Sequence, residues 1–171
     1  MIDVFEAVKK RRSIRKFKPT PLTRETLELL LDAARWAPSG GNLQPWVFIV
    51  VTNAATRAEL AHAAFDQEFV AQAPAVIAVV AAPPAHSQYG ERGRNLYCLQ
   101  DTAAAVQNVL LTAYALGLGT CWVGAFDEDA VAGVLALGPG ERPVALIPVG
   151  EPAQTRTSTR KPLAEVVRWM E

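Results

Sequence analysis

Two stretches of this chain carry residue types that can hold a ligand. The first is Lys10-Arg11-Arg12-Ser13-Ile14-Arg15-Lys16-Phe17, in which closely spaced guanidinium groups flank a hydroxyl. Forked guanidinium donors and hydroxyls suit a phosphate. The second is Trp36-Ala37-Pro38-Ser39-Gly40-Gly41-Asn42-Leu43-Gln44-Pro45-Trp46. Gly40 and Gly41 lack Cβ atoms and let backbone approach a ligand, Pro38 and Pro45 fix φ on either side, and Asn42 and Gln44 each offer a donor and an acceptor. Such a loop suits a flat polar ligand. Taken singly, a Gly-Gly between prolines is more often a plain connection, and a basic octamer can be a solvated helix end or a nucleic-acid patch. It is their combination that points to a binding site.

Composition narrows the class of that ligand. Seventeen basic residues balance seventeen acidic ones among 171, so no overall field draws the chain to nucleic acid or an anionic membrane, and neither is an expected partner. Cys98 and Cys121 sit in apolar contexts without a C-x-x-C, and only His62 and His86 could assist them, which argues against a metal site or a disulfide scaffold. No apolar run approaches the ~18 residues of a membrane span, and the first residues lack a basic-then-apolar leader, so a single cytoplasmic domain over residues 1–171 is expected. G-x-S-x-G, H-E-x-x-H, P-loop and strand-borne G-x-G-x-x-G signatures are missing. Gly117-Leu118-Gly119 follows a helical pattern and reads as its terminator. Ligand-holding residues without an acid, base or nucleophile constellation leave the chemistry to a bound cofactor, and a redox cofactor fits best.

The positioning elements follow from the apolar period. Helices are expected over residues 3–10, capped by Asp3, and 23–36, with Leu27, Leu30, Leu31 and Ala34 on one face. A strand is expected at 46–51, an alanine-rich helix at 54–64 and a second strand at 75–81, closed by Pro83-Pro84. Residues 86–94 read as a polar loop, and 96–116 as a long helix that is apolar almost all round, more than a monomer would cover. A short apolar stretch at 121–125, a helix at 127–135 capped by Asp127, a strand at 144–149 and an amphipathic piece at 161–169 complete the pattern. Strands and helices alternate, giving α+β or α/β with helices over a central sheet.

Four motifs in order, Arg11-Arg12-Ser13-Ile14-Arg15-Lys16-Phe17, the Ala37 to Trp46 loop, Gly117-Leu118-Gly119-Thr120-Cys121-Trp122-Val123-Gly124 and Pro148-Val149-Gly150-Glu151-Pro152, resemble the FMN-dependent nitroreductase family. Arg160-Lys161-Pro162-Leu163 adds to them, and the likeness spans residues 3 to 167. The resemblance implies an α+β fold with a mixed, mainly antiparallel sheet covered by helices, a homodimer with the long apolar helix at its interface, and FMN held between subunits. It makes Arg11, Arg12, Ser13 and Arg15, with Arg160 from the far end, holders of the phosphate and ribityl chain. Pro38, Ser39, Gly40 and Asn42 would come from the other subunit to lie against the ring, with amide contacts from Gln44 and from Gln67 at the pyrimidine edge. Trp122, Val123 and Gly124 would present backbone N–H groups to flavin N5 and O4, where donors stabilise charge on the reduced ring. The implied reaction is ping-pong hydride transfer from NADH or NADPH through FMN to a nitroaromatic, quinone or similar acceptor, with no catalytic side chain. Two departures stand out: residues 83–94 are short where longer relatives carry an excursion, and Ser158 replaces a second terminal base, leaving Arg156 or Lys161 to assist. The alternatives are a relative with another flavin reaction, such as dehalogenation or dehydrogenation, and a non-enzymatic flavin-binding protein.

Overall fold

The computed structural model describes residues 3–82 and 88–171, so the Pro83-Pro84 stop and His86 lie outside the described residues. Helix α1 (Val4–Lys10) starts where the Asp3 carboxylate accepts the Glu6 N–H, and α2 (Arg24–Arg35) where the Thr23 hydroxyl accepts that of Thr26. Each cap satisfies a donor the first turn leaves without an intrahelical partner. Two more capped helices, α3 (Ala54–Ala63, Asn53) and α7 (Glu128–Val134, Asp127), fall close to their expected places. A five-residue helix α4 (Glu68–Gln72) has no counterpart in the sequence reading; it is too short to show a period.

The sheet has the order β1-β2-β4-β3, from β1 (Trp46–Val51), β2 (Ala75–Ala81), β3 (Gly119–Thr120) and β4 (Arg142–Gly150). All three ladders are antiparallel, and the only parallel pairing among the described residues is an isolated bridge between Ser13 and Thr120. The β2–β4 register slips between Val79 and Val80, opposite Pro143, which has no N–H to give the ladder. Every residue of β2 is buried, as expected of a strand with both faces covered. Ala75, Ile77 and Val79 pack with Leu27 and Leu30 of α2 and with Val106 and Val109 of the long helix; Val76 and Ala78 pack with Leu60, Val70 and Val131 of α3, α4 and α7. The result is three layers, helix, sheet and helix, with two apolar cores.

The long helix corrects two expectations. It begins earlier than residue 96: α5 (Gly90–Arg92) and a π-helical turn, Gly93–Tyr97, run directly into α6 (Cys98–Ala115), so much of the supposed polar loop is helical. Its apolar excess is also largely covered within the chain. Ala105, Val106, Val109, Leu110 and Ala113 are buried against α2 and the sheet, and Cys98 and Thr102 are buried as well. What remains is a stripe in which Gln100 and Gln107 are exposed and Ala103, Ala104, Leu111 and Tyr114 half-buried. The helix ends as read: Gly117, at φ +76°, lets its own N–H reach Tyr114 O and that of Leu118 reach Ala113 O. Of the terminal amphipathic piece only α8 (Leu163–Val166) is helical, and it is exposed.

Candidate functional site

Both ends of the chain are brought together by pairing of their backbones. Ile14 N–H donates to Thr120 O at 2.8 Å, Lys18 N–H to Glu151 O at 2.9 Å and Ala153 N–H to Lys16 O at 2.9 Å. Residues 14–18 thus run beside β3 and the segment after β4. Gly119 permits this approach, because a Cβ there would lie 2.9 Å from three Ile14 side-chain carbons. The consequence is a recess of about 250 Å³ walled by Arg11, Arg12, Ser13 and Arg15 on one side and by Arg156, Thr157, Ser158 and Arg160 on the other. Five guanidinium groups and three hydroxyls line it, and no carboxylate does.

The cationic groups of the recess act on one another. Burial, then Arg160 and Arg12, push the Arg11 guanidinium pKa below its ordinary value. Arg160 Nη1 meanwhile donates to its own segment, to Ser158 Oγ at 3.1 Å and Thr159 O at 2.8 Å, and Arg12 Nη1 donates to Lys9 O and Arg11 O, clipping the end of α1. The Arg15 guanidinium lies over the Phe69 ring, 5.6 Å from its centroid. Beneath the recess the Cys121 thiol is raised by burial, against the pull of Arg15 and of the Ser13 hydroxyl, and stays protonated at neutral pH. Arg156, and not Lys161, stands where the sequence lacked a second terminal base.

From the recess the chain runs through Cys121 to the Trp122-Val123-Gly124 turn. Val123 exchanges both hydrogen bonds with Leu146, so its N–H is used inside the sheet and is not available to a ligand. Alternation then turns the Trp122 and Gly124 N–H groups to the other side of the strand. Gln67 is fixed beside this turn, its Nε2 donating to Ala64 O at 2.8 Å and Ala125 O at 2.9 Å. Both amide hydrogens are therefore engaged, and its Oε1 is the group left to meet a ligand.

The Pro38–Gln44 loop lies elsewhere. Gly40 N–H donates to Asp101 Oδ2 at 3.0 Å, Gln44 N–H to Ser39 Oγ at 3.0 Å, and Gln44 Nε2 to Asn42 O at 3.2 Å. Asn42 and Gln44 both adopt positive φ, 56° and 51°. Gly41 stands at φ +59°, where a side chain would be strained, and a Cβ there would meet the movable end of the Tyr89 side chain. Pro38 is exposed and Ser39 half-buried. Leu99, Ala103 and Val106 line a cavity with Trp122 and Gly124, whereas Asp101 holds the loop. At about 100° per residue, Asp101 is roughly 140–160° around α6 from those three positions, so the body of the helix stands between the loop and the turn.

Sequence reasoning missed Asp101, Tyr89 and Thr157 as supports of these parts. Asp101 lies within a helix among alanines, and nothing in the spacing joins it to a loop 61 positions away. Among the described residues no group of His, Cys, Asp or Glu is placed to hold a metal ion, and no helix is long and apolar enough to cross a membrane.

Comparison with known proteins places this arrangement. The Nitroreductase family model matches residues 8–67 and 62–151. A putative NADH dehydrogenase/NAD(P)H nitroreductase from Methanothermobacter thermautotrophicus is 35% identical over 157 residues, covering 90% of this chain and 79% of the relative. An NADH dehydrogenase from Thermus thermophilus is 31% identical over 198 aligned positions, covering 99% and 97%. The crystal structure of the NADPH:FMN oxidoreductase from Vibrio harveyi complexed with NAD+ superposes with a TM-score of 0.90 at 26% identity, over 98% of this chain and 77% of that one. The fold, the ordered motifs and these matches agree: the chain belongs to the nitroreductase family.

Proposed function

We propose that the chain is an FMN-dependent NAD(P)H oxidoreductase that reduces a nitroaromatic, quinone or similar electrophile as a cytoplasmic homodimer. The observation that carries this reading is the recess of five guanidinium groups without a carboxylate, which fits a phosphate in charge, donor geometry and size. When bound, FMN would supply hydride-transfer chemistry between NADH or NADPH and the electrophilic acceptor. The protein's part is binding and electrostatics. Arg11, Arg15 and Arg160, with the Ser13 hydroxyl, would hold the phosphate and ribityl chain, Arg12 keeps the end of α1 in place beside them, and Arg156 stands on the facing wall. The backbone N–H groups of Trp122 and Gly124, without a partner among the described residues, would serve the N5 and O4 edge, a donor arrangement that favours negative charge there. Gln67, with its Nε2 engaged by Ala64 O and Ala125 O, would offer Oε1 as an acceptor to the pyrimidine edge.

The homodimer reading rests on α6. A ligand lying along the recess and the Trp122–Gly124 turn has the helix, ~10 Å thick, between itself and this chain's Pro38–Asn42 loop. A second copy must then bring Pro38, Ser39, Gly40 and Asn42, with Gln44 behind them, to the ring. The half-covered stripe of α6 with Leu111, and the exposed Val4, Phe5 and Val8 of α1, offer the apolar surface for such a contact. The test is a visible spectrum of protein reconstituted with FMN and gel-filtered. Retained flavin absorbance that bleaches anaerobically with NADH or NADPH and returns with a quinone is expected. A colourless protein after reconstitution overturns the reading.

A further inference from the structure

Behind the phosphate recess lies a second cavity, of about 220 Å³, at the meeting of the end of α1, the end of α6 and residues 152–156. It shares Arg11, Arg12 and Arg156 with the recess but not its chemistry. Ile14, Tyr114, Leu118 and Pro152 make it largely apolar, Lys10, Arg12 and Arg156 make its rim cationic, and no carboxylate lines it. Lys10 is already engaged by Glu6 at 2.9 Å, whereas Arg156 stands without an ion pair among the described residues. Two nitrogens of side chains in its wall, Arg12 Nε and Gln154 Nε2, are buried without a hydrogen-bond partner, and among the described residues they alone are in that state. Buried donors are nearly always satisfied; both residues belong to the cavity wall, and these two atoms lie just beneath its surface, unpaired.

We propose that this cavity binds a small amphipathic anion, a carboxylate carried on a compact apolar or aromatic body, at a site separate from the flavin's. The carboxylate takes the Arg156 guanidinium and the Gln154 amide, which a turn about its soft terminal torsion brings to the cavity surface. The body lies on Tyr114 and Leu118. Charge favours the same conclusion: five guanidinium groups surround the recess, and a phosphate monoester brings no more than about two negative charges, so cationic capacity is left over on the shared wall. An apolar floor then selects against inorganic anions, which gain nothing from it.

The experiment titrates the FMN-reconstituted protein with benzoate, benzyl alcohol and inorganic phosphate in turn, following melting temperature and the flavin spectrum, in wild type, Gln154→Leu and Leu118→Trp. Benzoate should stabilise wild type saturably without altering the flavin spectrum, and the other two probes should do so far less. Gln154→Leu, which keeps side-chain size and removes the donor, should weaken benzoate about tenfold with FMN content unchanged. Leu118→Trp should abolish the effect by filling the cavity, and Gln154→Leu decides the matter if that variant does not fold. Benzoate that perturbs the flavin spectrum and binds both proteins alike sits over the flavin and overturns the proposal. So does phosphate as effective as benzoate, or no stabilisation at all. If no FMN is retained, the flavin reading fails separately, and on the protein as purified the comparison of benzoate with benzyl alcohol and of wild type with Gln154→Leu still decides this one, phosphate then being left out because the open recess takes it.

Discussion

Replacing Arg11 by methionine should move two quantities in opposite directions. The guanidinium is half-buried and disfavoured by burial and by Arg160 and Arg12, so its charge costs the empty chain stability. Methionine keeps the apolar stem and removes the charge, so without a ligand Arg11→Met should melt no lower than wild type. With FMN the sign reverses. A hydrogen bond to a charged group contributes about 1.5–3 kcal/mol, and its loss should raise the FMN dissociation constant about 10- to 150-fold. Titrating FMN into flavin-free protein and following its fluorescence, in buffer free of phosphate, gives the constant; thermal melts of the same samples give the stability. Inorganic phosphate should raise the melting temperature of wild type and raise that of the variant less, as mass action on the native state requires. An FMN constant within twofold of wild type, or a flavin-free variant melting more than about 5 °C lower, would refute the assignment.

Three further outcomes are expected. Gly150→Ala would place a Cβ 2.5 Å from Pro74 Cδ, a ring that cannot turn aside, and should cost about 1–3 kcal/mol, read as a melting temperature several degrees lower. Glu128 is held below the ordinary carboxylate value by its two hydrogen bonds to Arg142, at 2.7 and 2.8 Å. Its pKa is lower folded than unfolded, so its contribution is present above pH 4.5 and is lost as pH falls through the folded value. Both side chains are about half exposed, which limits the effect to under about 1 kcal/mol, and Glu128→Gln should flatten the acid limb of a stability–pH curve by no more than that. Light scattering should give twice the chain mass at micromolar concentration; a monomer that retains FMN and turns over would remove the need for a partner's loop.

Much of the fold was legible because the core elements carry their own periods and caps. Asp3, Thr23 and Asp127 stand where a side chain must take up a helix-end donor, and Ala75–Ala81 is a continuous apolar run that suits only a strand buried on both faces. The start of the long helix was not legible, since Gly90 and Gly93 read as loop and the π turn between Gly93 and Tyr97 breaks the 3.6-residue period. The excess apolar character of α6 was visible, but what covers it was not. Periodicity gives the face and not the neighbour, and the neighbour is largely this chain's own α2 and sheet. At the site, the types of Arg11, Ser13 and Arg160 suited a phosphate, while their meeting in one recess depends on backbone pairs between residues 14–18 and 151–153 that no local pattern encodes. The same limit hid the use of the Val123 N–H, which depends on a bridge to Leu146.

The recess also binds its own two walls unequally. Residues 11–14 are anchored by α1 and by the pairing with Thr120, whereas residues 155–166 are all exposed and join no core cluster. Fixing backbone costs about 1–2 kcal/mol per residue, and exposed residues recover little of it. Arg160 donates instead to the oxygens of Ser158 and Thr159 in its own segment, and the proposed phosphate would have to draw it from them. An anion that recruits it must order the segment from 156 to 160 and break those local bonds. The net affinity of the recess for phosphate then falls well short of five guanidinium contacts added together, and shortening or stiffening the tail would strengthen binding without adding a single contact.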